Sequence, residues 1–143
     1  MTKETIKTFQ YRITQATASQ LVVILYDMAI EYLNDACESD SAKQAHNNIY
    51  MAQKVIDQLI CGLDMQYEIS ANLFVIYNHM KRSLISASVS LDNNEINRIT
   101  GLLKKLRASF YEVSKQDDSE PLMKNTQAVS VSYTHLRAHE TVL

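Results

Sequence analysis

The chain has almost none of the residues that build tight turns, since its 143 residues include two glycines and one proline. Glycine and proline supply the backbone angles that hairpin turns and phosphate-binding loops require. Their scarcity argues against a β-rich fold and against a glycine-rich nucleotide loop, and it favours an all-α protein. The formal net charge of −2 also lacks the basic excess typical of nucleic-acid-binding proteins, so we expect no nucleic-acid partner.

Cysteines and long apolar runs are scarce as well. Cys37 and Cys61 are the two cysteines, and their spacing fits neither a disulfide scaffold nor a CxxC metal site, which indicates a reducing compartment. The longest apolar run covers residues 21–26, far fewer than the roughly 20 residues that a helix needs to span a bilayer. The N-terminus has no signal-peptide core. We therefore expect a cytoplasmic protein without membrane insertion.

The chain does contain four stretches in which apolar residues recur with helical spacing. The stretches are residues 17–38, 45–61, 68–88 and 93–113. In the second, apolar residues alternate in steps of three and four at Ile49, Ala52, Ile56, Leu59 and Leu63. This spacing is typical of a bundle seam. The sequence predicts an antiparallel four-helix bundle over residues 17–113.

The starts of two helices carry capping residues, and the first helix has two candidate N-caps. Thr17 and Gln20 have the form of a capping box, and Ser19 is the other candidate cap. Asp92 and Glu95 give the fourth helix an acid-rich start. Gly101 lies inside that helix at a cost of about 1 kcal/mol relative to alanine. We interpret it as a place where another backbone comes close.

The first predicted helix has more apolar surface than the outside of a small bundle requires. Its polar side chains share one narrow stripe that only Ile24 interrupts. The surplus faces either further core or a partner. The candidate partner-binding residues on this helix are Val22, Tyr26, Ile30 and Leu33. Tyr26 leads because an aromatic ring with a polar tip suits a groove that is dry only when occupied.

The third predicted helix has two apolar faces. Its core face is assigned to Ile69, Leu73, Ile76, Met80, Leu84 and Ala87. A second, weaker ridge consists of Tyr67, Phe74 and Ile85, which are further candidate partner-binding residues. In the fourth helix the same spacing continues through Ile96, Ile99, Leu103, Leu106, Phe110 and Val113.

The two ends of the chain lie outside the predicted bundle. Residues 1–16 are polar with Phe9, Tyr11 and Ile13 alternating, which indicates a short extended segment or an N-terminal arm that lays aromatic residues on the body. Tyr11 and Ile13 are therefore added to the candidate partner-binding residues. Residues 114–143 lack periodicity and are predicted to be a disordered tail. Within them, residues 129–143 include VSYTHLRAHETVL, which resembles a translated sequencing-adapter peptide and is interpreted as non-native.

The histidines are the main candidates for chemistry. His79 on the third helix offers an alternative function, a histidine phosphotransfer module. In this chain, however, the expected lysine is one residue closer to the histidine, and a serine stands in place of the expected glycine. His135 and His139 are four residues apart, a spacing that can chelate a metal on a helix, but no third ligand lies nearby. We expect no enzyme activity, no metal site and no cofactor.

Four motifs along the chain resemble those of the flagellin-specific export chaperone family, FliS. They are Thr17-Ala-Ser, Leu25-Tyr-Asp27, IDQLICGLD at residues 56–64 and EISANLFVIY at residues 68–77. The resemblance runs in order from Tyr11 to Val113. Gln20 and Met28 stand where the family usually has proline and glycine.

The resemblance implies an antiparallel bundle that binds the C-terminal segment of new flagellin in the cytoplasm. It would keep that segment unpolymerised and deliver it to the flagellar type III export apparatus. Members of the family also have an N-terminal arm that covers the binding surface. The second alternative function is a generic helical interaction or dimerisation protein. Contact with the flagellar export gate and formation of a homodimer are left open by the sequence.

Overall fold

A computed structural model describes residues 1–123, and all regular structure in that range is α-helical. Its five helices are α1 (Lys3–Gln15), α2 (Ala18–Glu38), α3 (Ala42–Cys61), α4 (Glu68–Ser90) and α5 (Asn93–Gln116). The all-α prediction is confirmed for these residues. Helix α2 packs against α3 and α5, α4 also contacts α3 and α5, and α1 lies on α2. None of the five combines the length and the apolar character that a bilayer-spanning helix would need.

Side-chain caps fix where α2 and α5 begin. The Thr17 hydroxyl accepts a hydrogen bond from the Gln20 backbone N–H, and the Gln20 side chain accepts one from the Thr17 N–H at 3.0 Å. This complete capping box shows that Thr17, rather than Ser19, is the N-cap. At the start of α5, the Asp92 carboxylate accepts hydrogen bonds from the backbone of Asn94 and Glu95. Both starts agree with the sequence analysis.

The core of the protein differs from the predicted one on α4. Leu73, Met80, Leu84 and Ala87 are buried as predicted, whereas Ile69 and Ile76 are exposed. Ser70 and Tyr77 are buried in their place. The physical reason is that the Tyr77 hydroxyl hydrogen bonds to the Tyr26 hydroxyl inside the core, which turns the buried face of α4 away from Ile69 and Ile76.

The N-terminal segment is a helix, so the extended alternative for residues 1–16 is wrong. The Thr2 hydroxyl caps α1 by accepting from the Thr5 backbone N–H. Phe9 is buried against Ala16 and Ile24, with Ile13 partly buried beside them. Ile24, the apolar residue that interrupted the polar stripe of α2, is therefore covered by α1. Ile6, Phe9 and Ile13 are spaced by three and four residues, a helical signal that the alternation of Phe9, Tyr11 and Ile13 concealed.

The residues immediately after Val113 are ordered against the fold, which corrects the predicted start of a disordered tail. Helix α5 continues to Gln116, and Ser114 is buried. Beyond it, the Leu122 N–H donates to the Ala16 carbonyl at 2.9 Å. Hydrophobic periodicity cannot detect such a docked extended segment, because only one or two of its residues are buried. The remainder of the predicted tail, including residues 129–143, lies outside the described residues.

Helix α5 differs from the sequence analysis at two positions. Val113 is exposed, although its spacing continued that of the buried residues Ile96, Ile99 and Leu103. A Cβ built on Gly101 would meet no atom within 4 Å. The interpretation that another backbone comes close to Gly101 is therefore wrong.

Candidate partner-binding surface

Helix α4 and its N-cap expose more large apolar side chains than any other helix among residues 1–123. We call these seven residues the α4 apolar surface: Tyr67, Ile69, Phe74, Val75, Ile76, Ile85 and Val89, which are between 36% and 86% exposed. Single exposed apolar side chains are ordinary on protein surfaces, whereas a contiguous group marks an interaction site. Tyr67, Phe74, Ile85 and Val89 form such a group, since they lie within about 60° of one another around the helix. Partner binding is therefore the kind of function that this part of the molecule fits.

Residues seven apart on a helix are almost two full turns apart and lie in line with each other. Tyr67 and Phe74 are in line with Lys81, whose ammonium group pairs with Asp57 of α3. Ile69 and Ile76 are in line with Ser83, whose hydroxyl accepts from Arg98 of α5 at 3.3 Å. At 100° per residue the two rows lie about half a turn apart around α4. The α4 apolar surface is therefore divided into an α3 side, which includes Tyr67 and Phe74, and an α5 side, which includes Ile69 and Ile76.

Several charged groups on these two sides are paired. On the α5 side, Arg98 donates from its Nε and terminal nitrogen to the carboxylate of Glu95. This hydrogen bonding, more than any other contact, holds the pKa of Glu95 below its usual range. The same Arg98 lies 3.1 Å from Nε2 of His79. The charges of Lys81, Glu95 and Arg98 are therefore paired within the protein, while Glu68 and Arg82 are exposed on α4.

The structure divides the sequence-predicted site residues into three groups. Tyr67, Phe74 and Ile85 are exposed together on the α4 apolar surface, and Tyr11 is 68% exposed on α1. Ile13, Val22 and Ile30 are partly buried against core residues. Tyr26 and Leu33 are 0% exposed.

The surplus apolar surface of α2 is largely core. The helix is covered by α1, α3 and α5, so most of its circumference faces protein. As a consequence, Tyr26 and Leu33 offer no surface to a partner in this conformation. The sequence analysis had left open whether the arc of α2 was core or interface, and the exposed candidates now lie mainly on α4.

One carboxylate on α2 links this helix to α1 and α5. Asp27 Oδ2 accepts from Arg12 of α1 at 2.8 Å, and Asp27 Oδ1 accepts from Nε of Arg107 of α5 at 2.6 Å. The sequence analysis did not predict these ion pairs. Asp27 and Arg107 are 80 residues apart, so local spacing carries no signal for this contact. The pairs help to fix the position of α1.

A polar recess lies apart from the α4 apolar surface. The recess, of about 500 Å³, lies where α1 begins and α2 ends, and its lining includes Glu31, Asp35, Glu38 and Asp40. Because this lining is acidic, the recess does not extend the α4 apolar surface. Within residues 1–123, no three His, Cys, Asp or Glu side chains are grouped to hold a metal ion. His135 and His139 lie outside the described residues.

The family model described as "Flagellar protein FliS" matches residues 1–117. The chain belongs to the FliS family. A curated FliS relative, named flagellar secretion chaperone FliS in Bacillus subtilis (strain 168), is 23% identical to the chain over 111 residues. That alignment covers 76% of this chain and 84% of the relative. The FliS resemblance inferred from the four sequence motifs is therefore confirmed.

The FliS match includes all five helices and ends at Asp117. The α4 apolar surface lies wholly inside the matched range. The short segment that returns to Ala16, residues 118–123, lies just after it. The family match thus covers the helical body of the chain and does not include the docked segment after Asp117.

Proposed function

We propose that this FliS chain is a cytoplasmic flagellar export chaperone that binds the C-terminal segment of flagellin. It would prevent premature polymerisation and deliver flagellin to the flagellar type III export apparatus. The observation that carries the proposal is the family match over residues 1–117. The Bacillus subtilis relative, itself named a flagellar secretion chaperone, supports the same function. Binding to the export gate and formation of a homodimer stay predictions.

The part of the α4 apolar surface that includes Tyr67, Phe74 and Ile85 is the proposed docking site. An amphipathic segment that lays its apolar face on this surface would cover side chains that are otherwise in water. Aromatic residues are the usual anchors of such interfaces, which favours Tyr67 and Phe74 over the aliphatic residues around them. In this proposal α2, α3, α4 and α5 form an antiparallel four-helix bundle, and that bundle is the rigid support for the surface.

Helix α1 is proposed to be a movable cover on the other side of α2. It holds Phe9 against Ile24 and is connected to the rest of the chain through Ala16 and Thr17. If α1 swings away, Ile24 and its partly buried neighbours Leu21 and Met28 become available to a client. Such a cover lowers the apparent affinity by the fraction of time that it is closed.

Calorimetric titration of the full chain with flagellin, and with flagellin that lacks its C-terminal segment, tests the function. We expect binding to the first and loss of binding to the second. Equal binding to both, or binding to neither, would contradict the chaperone proposal. Since a client that orders on binding loses entropy, the affinity is expected to be modest for the area buried.

Two matched aromatic variants test the docking site separately. Phe74→Ala removes an exposed ring from the α4 apolar surface, and Tyr111→Ala removes an exposed ring from α5 that lies against Arg107 and Lys115. We expect Phe74→Ala to weaken flagellin binding by about 1–3 kcal/mol, the range of an interface anchor. Tyr111→Ala should leave binding nearly unchanged. Equal losses would contradict the assignment to α4 while leaving the chaperone proposal intact.

A further inference from the structure

After α5 the chain turns back and contacts the junction between α1 and α2. The Ser19 hydroxyl donates to Asp117 Oδ2 at 2.5 Å. Five residues later, the Leu122 N–H donates to the Ala16 carbonyl at 2.9 Å. Next to it, Met123 is 8% exposed. The segment is therefore attached at both ends, by a carboxylate at the start and by a backbone hydrogen bond and a buried side chain at the end.

The segment contacts the junction between α1 and α2, and the position of α1 depends on this junction. Ala16 and Thr17 are 2% and 5% exposed, and both have extended backbone angles between the two helices. A buried carbonyl outside regular structure needs a hydrogen-bond partner. The Leu122 N–H supplies one for Ala16. Any movement of α1 that turns the Ala16 peptide would break this hydrogen bond.

We propose that residues 117–123 form a strap that fixes the junction between α1 and α2 and so holds α1 in its docked position. The strap contacts the junction between α1 and α2 rather than α1 itself. Release of the strap and release of α1 are therefore coupled, and anything that loosens one loosens the other.

Hydrogen bonds within the strap fix the conformation of its first residues. Asp117 Oδ1 accepts from the backbone N–H of Ser119 at 3.0 Å and also from the Ser119 hydroxyl. These bonds turn the chain directly after α5. Together with the Ser19 hydroxyl they hold the pKa of Asp117 well below its usual range. The carboxylate therefore stays charged, and able to accept, at neutral pH.

A small attachment can matter here because α1 is weakly held. An isolated helix of 13 residues is marginal in water, so α1 depends on its contacts for stability. Of its residues only Phe9 is buried. Arg12 pairs with Asp27 near the end of the helix, and the Met1 amino group pairs with Asp35 just before its start. The hydrogen bond from Leu122 to Ala16 is therefore a substantial part of the contacts that hold α1 in place. Because residues 118–123 follow the end of the family match, this coupling goes beyond the proposed chaperone function.

Hydrogen exchange of the full chain tests the strap through a pair of variants at one position. Leu122→Pro removes the N–H that Ala16 accepts, whereas Leu122→Ala keeps it and trims a side chain that is about half exposed. We expect amides of α1 to exchange roughly 2- to 10-fold faster in Leu122→Pro, as the loss of one hydrogen bond implies. In Leu122→Ala they should exchange as in the wild type. Amides of α4 are the internal reference and should not change.

Met123→Ser provides a second, independent perturbation, because it makes the buried end of the strap polar. It too should speed exchange in α1 and leave α4 unaffected. The proposal is overturned if α1 exchanges at the wild-type rate in both Leu122→Pro and Met123→Ser. It is equally overturned if α1 and α4 accelerate together, since the segment would then be a general stabilising element. None of these measurements involves flagellin, so their failure is distinguishable from failure of the chaperone proposal.

Discussion

The hydroxyl groups of Tyr26 on α2 and Tyr77 on α4 hydrogen bond to each other in the core, where both side chains are almost completely buried. Each hydroxyl gives the other a partner that water cannot supply at that depth. Burial raises the pKa of both groups, so both stay protonated at neutral pH. This pair ties α2 to α4, two helices that otherwise meet mainly through α3 and α5.

The tyrosine pair predicts a non-additive pattern of stability. Tyr26→Phe should lower the free energy of unfolding by about 1–3 kcal/mol, because it leaves the buried Tyr77 hydroxyl unsatisfied. The double variant Tyr26→Phe/Tyr77→Phe should recover part of that loss, since no polar atom is then stranded. Urea unfolding of the two single variants and the double variant measures the coupling. Strictly additive losses would show that the two hydroxyls do not depend on each other.

Tyr26, the leading contact candidate of the sequence analysis, is buried, so Tyr26→Ala is expected to act first on stability. Removing a buried aromatic ring costs about 3–5 kcal/mol of stability, so the variant should lose thermal stability as well as any binding. Its midpoint of unfolding, followed by circular dichroism, is the measurement. A variant that kept its stability and lost only flagellin binding would restore Tyr26 as a contact residue.

Gly101→Ala should stabilise the protein. The position is inside α5, its φ is ordinary, and an added Cβ would meet open space. Alanine has the better helix propensity and reduces the freedom of the unfolded chain, so we expect a gain of about 0.5–1 kcal/mol. Chemical denaturation measures this directly. A loss of stability would indicate that another group approaches Gly101 after all.

Two variants of α1 test whether this helix covers apolar surface. Phe9→Ala removes the buried anchor of α1, while Tyr11→Ala removes a ring of similar size that is mostly exposed on the same helix. We expect Phe9→Ala to increase binding of the dye ANS as α1 loosens and Ile24 becomes exposed. Tyr11→Ala should leave dye binding near the wild-type value. Unchanged dye binding and unchanged exchange of α2 amides in Phe9→Ala would contradict the movable cover.

Asp117 predicts the pH dependence of the strap. Its pKa is lowered from an ordinary value of 3.8, first by the Ser119 hydroxyl and next by that of Ser19. A lowered folded-state pKa means that the ionised carboxylate stabilises the fold at pH values above the unfolded pKa. That contribution is lost as the pH falls below 3.8 towards the folded-state pKa.

The stability difference between wild type and Asp117→Asn is the corresponding measurement. It should be constant between about pH 5 and pH 8, because the carboxylate is ionised in both the folded and the unfolded chain there. The difference should shrink in more acidic solution. A difference that changed mainly near neutral pH would point to another titrating group.

The sequence was most informative where a signal is local. Asp92 predicted the start of α5 correctly, and α2 begins after Thr17, one of its two candidate caps, because a cap is read within four residues. The exposed ridge of Tyr67, Phe74 and Ile85 was also predicted as a face separate from the core. Both results depend only on helical geometry.

Contacts between distant segments could not be read in this way. Spacing alone does not distinguish Ile76 from Tyr77 as the residue that turns inward, since the choice depends on Tyr26 in another helix. The hydrogen bond from Leu122 to Ala16 joins opposite ends of the described chain, and a single backbone donor leaves no pattern in side chains. The role of α1 as a helix was missed because Tyr11 disguised the spacing of Phe9 and Ile13.

Arg107 binds Asp27 through two hydrogen bonds and Arg12 through one, so Asp27 stays paired when α1 moves away. Arg107 contacts both carboxylate oxygens, at 2.6 Å and 3.3 Å, and belongs to α5. When Arg12 leaves with α1, the carboxylate therefore keeps a resident counterion. At Asp27 the opening step therefore breaks one partly exposed ion pair, a cost of about 0–1 kcal/mol, and leaves no uncompensated charge there. Arg107 thus keeps Asp27 paired until α1 returns.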